Sequence, residues 1–334
     1  MSPGGSAPGQ LPFADANGLA HALDPLLHDA CDGRLGPIEW FHAAWQRGGS
    51  ATGFSTWLLG DTRIGVVVKL PLDATEYVWT TALGAADEDD WHSDRSRACV
   101  CPRVLRHGDA LGPYPARWVV CERLAGDHFP HHLTPAMVEE LMERLLAFHT
   151  AAAGTPLGER PRAPDFEKLV DKGRAACRDH NVAEYPRWSE ALRKVHRALP
   201  ALIGRWEHRP INTWCHGDLH PGNVLRRGEG DGARCVLIDL ALVHPGHWIE
   251  DALYLERQYW GHEDWLARAK PVSILARLRR ERGLPVTDNY AELANVRRVL
   301  MAACAPALIE REGNPKYLHS ALEHIERLLP QVPH

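Results

Sequence analysis

Two segments constrain this chain more than any others: W-C-H-G-D-L-H-P-G-N-V-L at 214–225 and C-V-L-I-D-L at 235–240. In the first, Pro221 and Gly222 force a turn between Asp218 and Asn223. In the second, an apolar run reads as a strand that stops on a carboxylate, Asp239. A charge interrupting an apolar run is costly to bury unless it is paired or bound to a cation, so Asp239 calls for a metal or a strong partner. Two chemistries fit the first segment. It is either a loop that handles phosphate and magnesium, or His216, Asp218 and His220 are ligands of a transition metal such as zinc, as in a metal-dependent hydrolase.

The second segment favours phosphate. Phosphoryl transfer from ATP needs a carboxylate to orient the attacking hydroxyl and take its proton, oxygen ligands for Mg2+, and a lysine on the phosphates. Asp218 can be the base, Asn223 and Asp239 the magnesium ligands, and Lys69, closing the β-branched run I-G-V-V-V-K-L at 64–70, the cation. One carboxylate and one amide suffice because magnesium keeps water and phosphate oxygens around it. The zinc reading leaves Pro-Gly-Asn and Asp239 unexplained.

The rest of the chain divides by texture. From 37 to 125 the signals are strands and turns: a hairpin of Thr56–Leu59 and Ile64–Leu70 about Gly60-Asp61-Thr62-Arg63, later strands at Val100–Leu105 and Trp118–Leu124, and a short helix at Ala74–Leu83. G-G-S-A-T-G-F-S at 48–55 reads as a small-residue loop able to cover phosphates. After Gly126 the chain reads as helical. Thr134 suits an N-cap, Pro135 the first helical position, and Leu133 and Val138 a hydrophobic staple, for a helix running to about His149. Trp188, Leu192, Val195, Leu199, Leu202 and Trp206 mark one apolar face of a long helix, bent at Pro200. Glu292–Leu329 is again helical, interrupted near Gly313-Asn314-Pro315. The expected organisation is a flexible tail at 1–20, a nucleotide-binding lobe at 21–125 and a helical lobe at 126–334 carrying the catalytic loop and substrate pocket.

At 334 residues the chain exceeds the size at which single cores stop growing. A net charge of −5 argues against a nucleic-acid partner, which requires a concentrated basic face. The eight cysteines include no C-x-x-C pair and read as free thiols in a reducing compartment. Residues 1–10 lack the features of a leader, and no stretch reaches membrane-span length. A cytoplasmic protein without membrane contact is expected, and no oligomeric state can be read from the sequence.

H-G-D-L-H-P-G-N with I-D-L resembles the aminoglycoside phosphotransferase and choline kinase-like family, relatives of the protein kinases, and the likeness spans roughly residues 37–330. It implies an α+β, bilobal protein-kinase-like fold with a small β-rich N-lobe and a larger, mainly helical C-lobe. It further implies ATP and Mg2+ as cofactors and a small hydroxylated molecule as substrate. Under it Asp218 matches the catalytic base, Asn223 and Asp239 the metal ligands, and Lys69 the third-strand lysine, with Glu76, or else Glu88, as its partner. W-V-V-C-E-R-L-A-G at 118–126 is similar to the linker whose backbone near Glu122 and Leu124 binds adenine. His216 and Asp251 match residues that brace the catalytic loop, while His220 is left open between substrate contact and packing. Glu256 lies, with Glu250, Arg257, Trp260 and Glu263, where the family often contacts substrate. L-A-L-V-H-P-G-H-W replaces the family's commoner acidic continuation, which removes an acidic contact to a cationic acceptor. A kinase-shaped binding or regulatory protein without turnover is the alternative.

Overall fold

The computed structural model describes residues 16–41, 50–86, 91–93, 98–124, 126, 128–228, 230 and 233–332. The chain is α+β and forms two compact units.

In the first unit, α1 (Ala16–Ala30) presents Leu19, Leu23 and Leu27, four residues apart, to the core. Residues 16–20, expected within the tail, are thus helical, because this apolar stripe has a sheet to cover. The sheet is antiparallel in the order β1-β2-β3-β5-β4, from β1 (Glu39–Phe41), β2 (Ala51–Leu59), β3 (Thr62–Leu70), β4 (Val104–Gly108) and β5 (Trp118–Glu122). The β2–β3 hairpin is tighter than expected: Leu59 pairs with Thr62, and Gly60 takes φ +56° in the turn, a conformation open to glycine. Alternation along β3 buries Val66, Val68 and Leu70 and leaves Lys69 on the other face. Residues 51–55, expected as a phosphate-covering loop, belong to β2, where Ala51, Gly53 and Ser55 alternate inward with Trp57. Gly48 and Gly49 lie outside the described residues.

Between β3 and β4, α2 (Ala74–Gly84) starts at Asp73, whose side chain caps the Glu76 N–H at 2.9 Å. The strand expected from Val100 begins only at Val104. Pro102 has no N–H for a ladder, and the Val100 carbonyl instead accepts from Leu237 N–H at 2.9 Å.

The second unit is mainly helical. α3 (Pro135–Ala152) is capped by Thr134, and Leu133 and Val138 are both buried. α4 (Phe166–Asp179) precedes α5 (Tyr185–Glu207), whose Trp188, Leu192, Val195, Leu199, Leu202 and Trp206 are each at most 2% exposed. After β6 (Thr213–Cys215) and the turn Pro221–Asn223 the chain enters the first unit, where β7 (Val224–Arg227) and β8 (Arg234–Leu237) form a hairpin. It then returns to pair β9 (His244–Gly246) with β6. The helices α6 (Glu250–Gln258), α7 (Pro271–Glu281), α8 (Tyr290–Cys304) and α9 (Pro315–Leu328) complete it, with a break at Gly313-Asn314 before α9.

Gly222–Val243 therefore groups with the residues up to His128, whereas the sequence division left it in the helical lobe. The cause lies in long-range contacts. Besides the Leu237 bond, Arg227 donates to the carbonyls of Cys99 and Cys101 at 2.7 and 2.9 Å. No described helix is long and apolar enough to cross a membrane. All eight cysteines are free thiols.

Candidate active site

The first unit brings Lys69, Glu76 and Asp239 together. Lys69, on β3, donates to the Glu76 carboxylate in the first turn of α2, and the Asp73 cap fixes the start of that turn. Glu76 is 6% exposed. Burial works against the Lys69 charge, but Glu76, with Asp239 adding to it, outweighs burial and holds the ammonium above its ordinary pKa. Glu88, the other partner considered, lies outside the described residues.

Asp239 differs from the expectation of a strand-terminal buried carboxylate. β8 ends at Leu237, and Asp239 is exposed in the left-handed region at φ +63°. Aspartate tolerates this conformation better than most residues. Its carboxylate has no hydrogen bond or ion pair among the described residues. Asn223 is buried, and its backbone carbonyl accepts from Ile238 N–H at 3.0 Å, which ties the turn to the residue before Asp239.

Glu122 is engaged within the first unit. Its N–H donates to the Arg103 carbonyl at 2.9 Å, and its carboxylate is held between Arg103, whose Nε lies 2.8 Å away, and Arg227. Arg103 also covers the Trp91 ring, with its guanidinium carbon 3.7 Å from the centroid. Leu124, two residues on, makes no backbone hydrogen bond among the described residues.

In the second unit the loop after β6 is fixed by Asp251, at the start of α6. The N–H groups of His216 and Gly217 donate to its two oxygens at 2.9 and 2.8 Å, and His149, from α3, reaches Oδ2 through Nε2 at 3.3 Å. Burial opposes the Asp251 charge, but His149, His216 and the Gly217 N–H outweigh it and hold its pKa below the ordinary value. Gly217 takes φ +85°, which turns the chain into Asp218. His216 is fully buried, and its Nδ1 accepts the Asp218 N–H at 3.3 Å.

The Asp218 side chain is half-buried. Tyr254, on α6, donates to Oδ1 at 2.6 Å, and His220 Nε2 stands 3.6 Å from Oδ2. His216, Asp218 and His220 do not form a zinc site, since His216 faces the loop's own backbone. Among the described residues no three His, Cys, Asp or Glu side chains are placed to hold a metal. Glu256 is locked in a two-bond pair with Arg298, both at 2.8 Å, and Arg257 is tied to Glu312 and to Tyr317.

Several contributors went unread in the sequence. Tyr254 lies three residues after Asp251, one helical turn along the same face, a spacing that could have found it. His149, 102 residues before Asp251, and Arg103 and Arg227 around Glu122 carry no local signal.

An antiparallel sheet carrying a lysine–glutamate pair, followed by a mainly helical unit with a braced H-G-D loop, is the α+β architecture of the protein-kinase-like phosphotransferases. Solved structures share it. A microcompartment-associated aminopropanol kinase is 16% identical with a TM-score of 0.55, covering 94% of this chain and 98% of its own. An aminoglycoside phosphotransferase from Alicyclobacillus acidocaldarius is 16% identical with a TM-score of 0.53, covering 89% and 91%. At such identity the likeness is one of fold. Residues 44–293 match the model of the phosphotransferase enzyme family, and the chain belongs to that family. It is accordingly a small-molecule phosphotransferase. No curated protein matches the sequence.

Proposed function

We propose that the protein transfers the γ-phosphoryl group of ATP, with magnesium, to a hydroxyl of a small molecule. The observation that carries this reading is the Lys69–Glu76 pair with Asp239 within its electrostatic reach. A lysine kept charged by a buried glutamate is suited to phosphate oxygens. The residues present also fit magnesium: Asn223 and Asp239 offer oxygen donors, joined through the Ile238–Asn223 backbone bond, and Asp239 is exposed and unpaired among the described residues.

In this reading Lys69 binds the phosphates, Glu76 holds Lys69 in place, and Asn223 and Asp239 hold magnesium, which when bound offsets the charge of the β- and γ-phosphates. Asp218 orients the acceptor hydroxyl and takes its proton as the hydroxyl oxygen forms a bond to the γ-phosphorus and the bond to the bridging oxygen of ADP breaks. Asp251 and His216 keep the loop in shape. The backbone of Leu124 is the candidate adenine contact, while Glu122 supports the unit by its ion pairs. His220, beside Asp218, and Glu256, on α6 and paired with Arg298, are the candidate substrate contacts.

The acceptor class is a small hydroxylated compound such as an amino alcohol or an aminoglycoside, the compounds named for the kinases that share the fold. The test combines two measurements. Calorimetric titration should show ATP binding that requires magnesium and is lost with EDTA. ADP release should then be screened over amino alcohols, sugars and aminoglycosides. Absence of magnesium-dependent nucleotide binding overturns the proposal. Binding without turnover on any acceptor, unaltered by Asp218→Asn, would favour a regulatory protein of the same shape.

A further inference from the structure

We infer that Tyr254 is a positioning residue for the reaction: its hydroxyl pins the Asp218 carboxylate in the orientation from which it takes the acceptor's proton. The inference rests on the reading of Asp218 as the base.

The geometry is local and specific. Tyr254 follows Asp251 by three residues on α6, so the two side chains leave the helix on one face, a turn apart. Asp251 fixes the backbone of the catalytic loop at His216 and Gly217, and Tyr254 fixes the side chain that the loop presents. The 2.6 Å between Tyr254 Oη and Asp218 Oδ1 is the length of a hydroxyl donating to a charged carboxylate, one of the stronger hydrogen bonds. The last torsion of an aspartate is broad and nearly two-fold, so placing the backbone does not by itself set the carboxylate plane. The strong Tyr254 donor at Oδ1 restrains that torsion, and the other oxygen, Oδ2, is the one beside His220.

Tyr254 is suited to donate throughout the neutral range. Burial, and then the bond to Asp218, raise its phenol well above the ordinary value, with Arg257 opposing and Glu312 adding to the shift. No bond to the tyrosine forms or breaks during transfer. The acceptor's proton goes to Asp218, the phosphoryl group to the acceptor oxygen, and ADP leaves.

The test uses the full chain and three proteins: wild type, Tyr254→Phe and Asp218→Asn. ADP release is read from ATP and magnesium, with 1-amino-2-propanol as acceptor and with water alone. Phenylalanine keeps the ring and removes only the donor. The expected result is kcat lowered roughly 10- to 100-fold, with the KM for ATP and the melting temperature close to wild type. A merely structural tyrosine would move melting or KM and leave kcat alone. If Tyr254→Phe melts early, kcat is compared with wild type at a temperature where both proteins stay folded; an unchanged kcat there overturns the inference. Wild-type turnover in Asp218→Asn would overturn the base reading itself, and the inference with it. An inactive Asp218→Asn beside a Tyr254→Phe with wild-type kcat would overturn the Tyr254 inference alone.

Discussion

The backbone N–H of His216 donates to Asp251 Oδ2 at 2.9 Å across 35 residues of chain, and Gly217 takes the second oxygen at 2.8 Å. Asp251 is 1% exposed, so bulk water does not reach these groups in the native fold. Asp251→Ala leaves two N–H groups and His149 without an acceptor, at a cost of about 3 kcal/mol or more. Asp251→Asn keeps one acceptor and is expected to lose less. Urea unfolding of both variants against wild type measures the difference, and turnover should fall with the loop's order.

Glu122 lies between Arg103 and Arg227 in the first unit, and all three side chains are at most 10% exposed. Removing one partner of a buried ion network strands the charges that remain. Glu122→Ala is therefore expected to destabilise the protein by about 3–5 kcal/mol. Glu122→Gln, which keeps the shape and one acceptor, should fall between it and wild type in the same unfolding experiment.

His247 gives a pH dependence with a definite sign. It is fully buried, and its Nδ1 accepts the Ile249 N–H at 3.4 Å while Nε2 faces Thr287. Burial first, then Arg209 and Arg279, push its pKa from 6.5 down to about 4, against the pull of Glu250. Between these values the unfolded chain binds the proton and the folded chain does not, so stability rises with pH there. The contribution is complete above about pH 6.5 and is lost as pH falls toward 4, amounting to up to roughly 3 kcal/mol. Unfolding free energies at pH 5 and pH 7.5 check it. His247→Asn, whose carboxamide oxygen can still accept from Ile249, should flatten the dependence.

The Lys69–Glu76 pair separates phosphate chemistry from scaffold. Lys69→Ala should lower kcat by roughly 100-fold or more, and Glu76→Gln by less, because Lys69 remains with a weaker anchor. Initial rates over a range of ATP concentrations are the measurement. Equal rates in wild type and Lys69→Ala would remove Lys69 from the reaction.

The local signals of the chain were readable where neighbouring residues carry them. Asp73 and Thr134 cap the helices that follow them, the Trp188–Trp206 face is buried throughout, and the phosphotransferase family was legible in H-G-D-L-H-P-G-N with I-D-L. The errors have local causes too. The small residues of 51–55 look like loop, yet in β2 they alternate inward beneath neighbouring side chains, and Gly53 has no room for a Cβ beside Ile38, 2.5 Å away. The helix from Ala16 was hidden by the Gly- and Pro-rich start, although Leu19, Leu23 and Leu27 show its period.

The order of residues alone was enough for the family and the α+β class, because these depend on short spacings and local propensity. Only the folded chain decided which groups meet. It set Lys69 on Glu76, placed His149 behind Asp251, took Glu122 into a pair of arginines, and gave Asp218 a tyrosine. The physical reason is that a buried charge accepts whichever partner packing delivers within hydrogen-bond reach. For Glu122 and Arg227 that partner is 105 residues away.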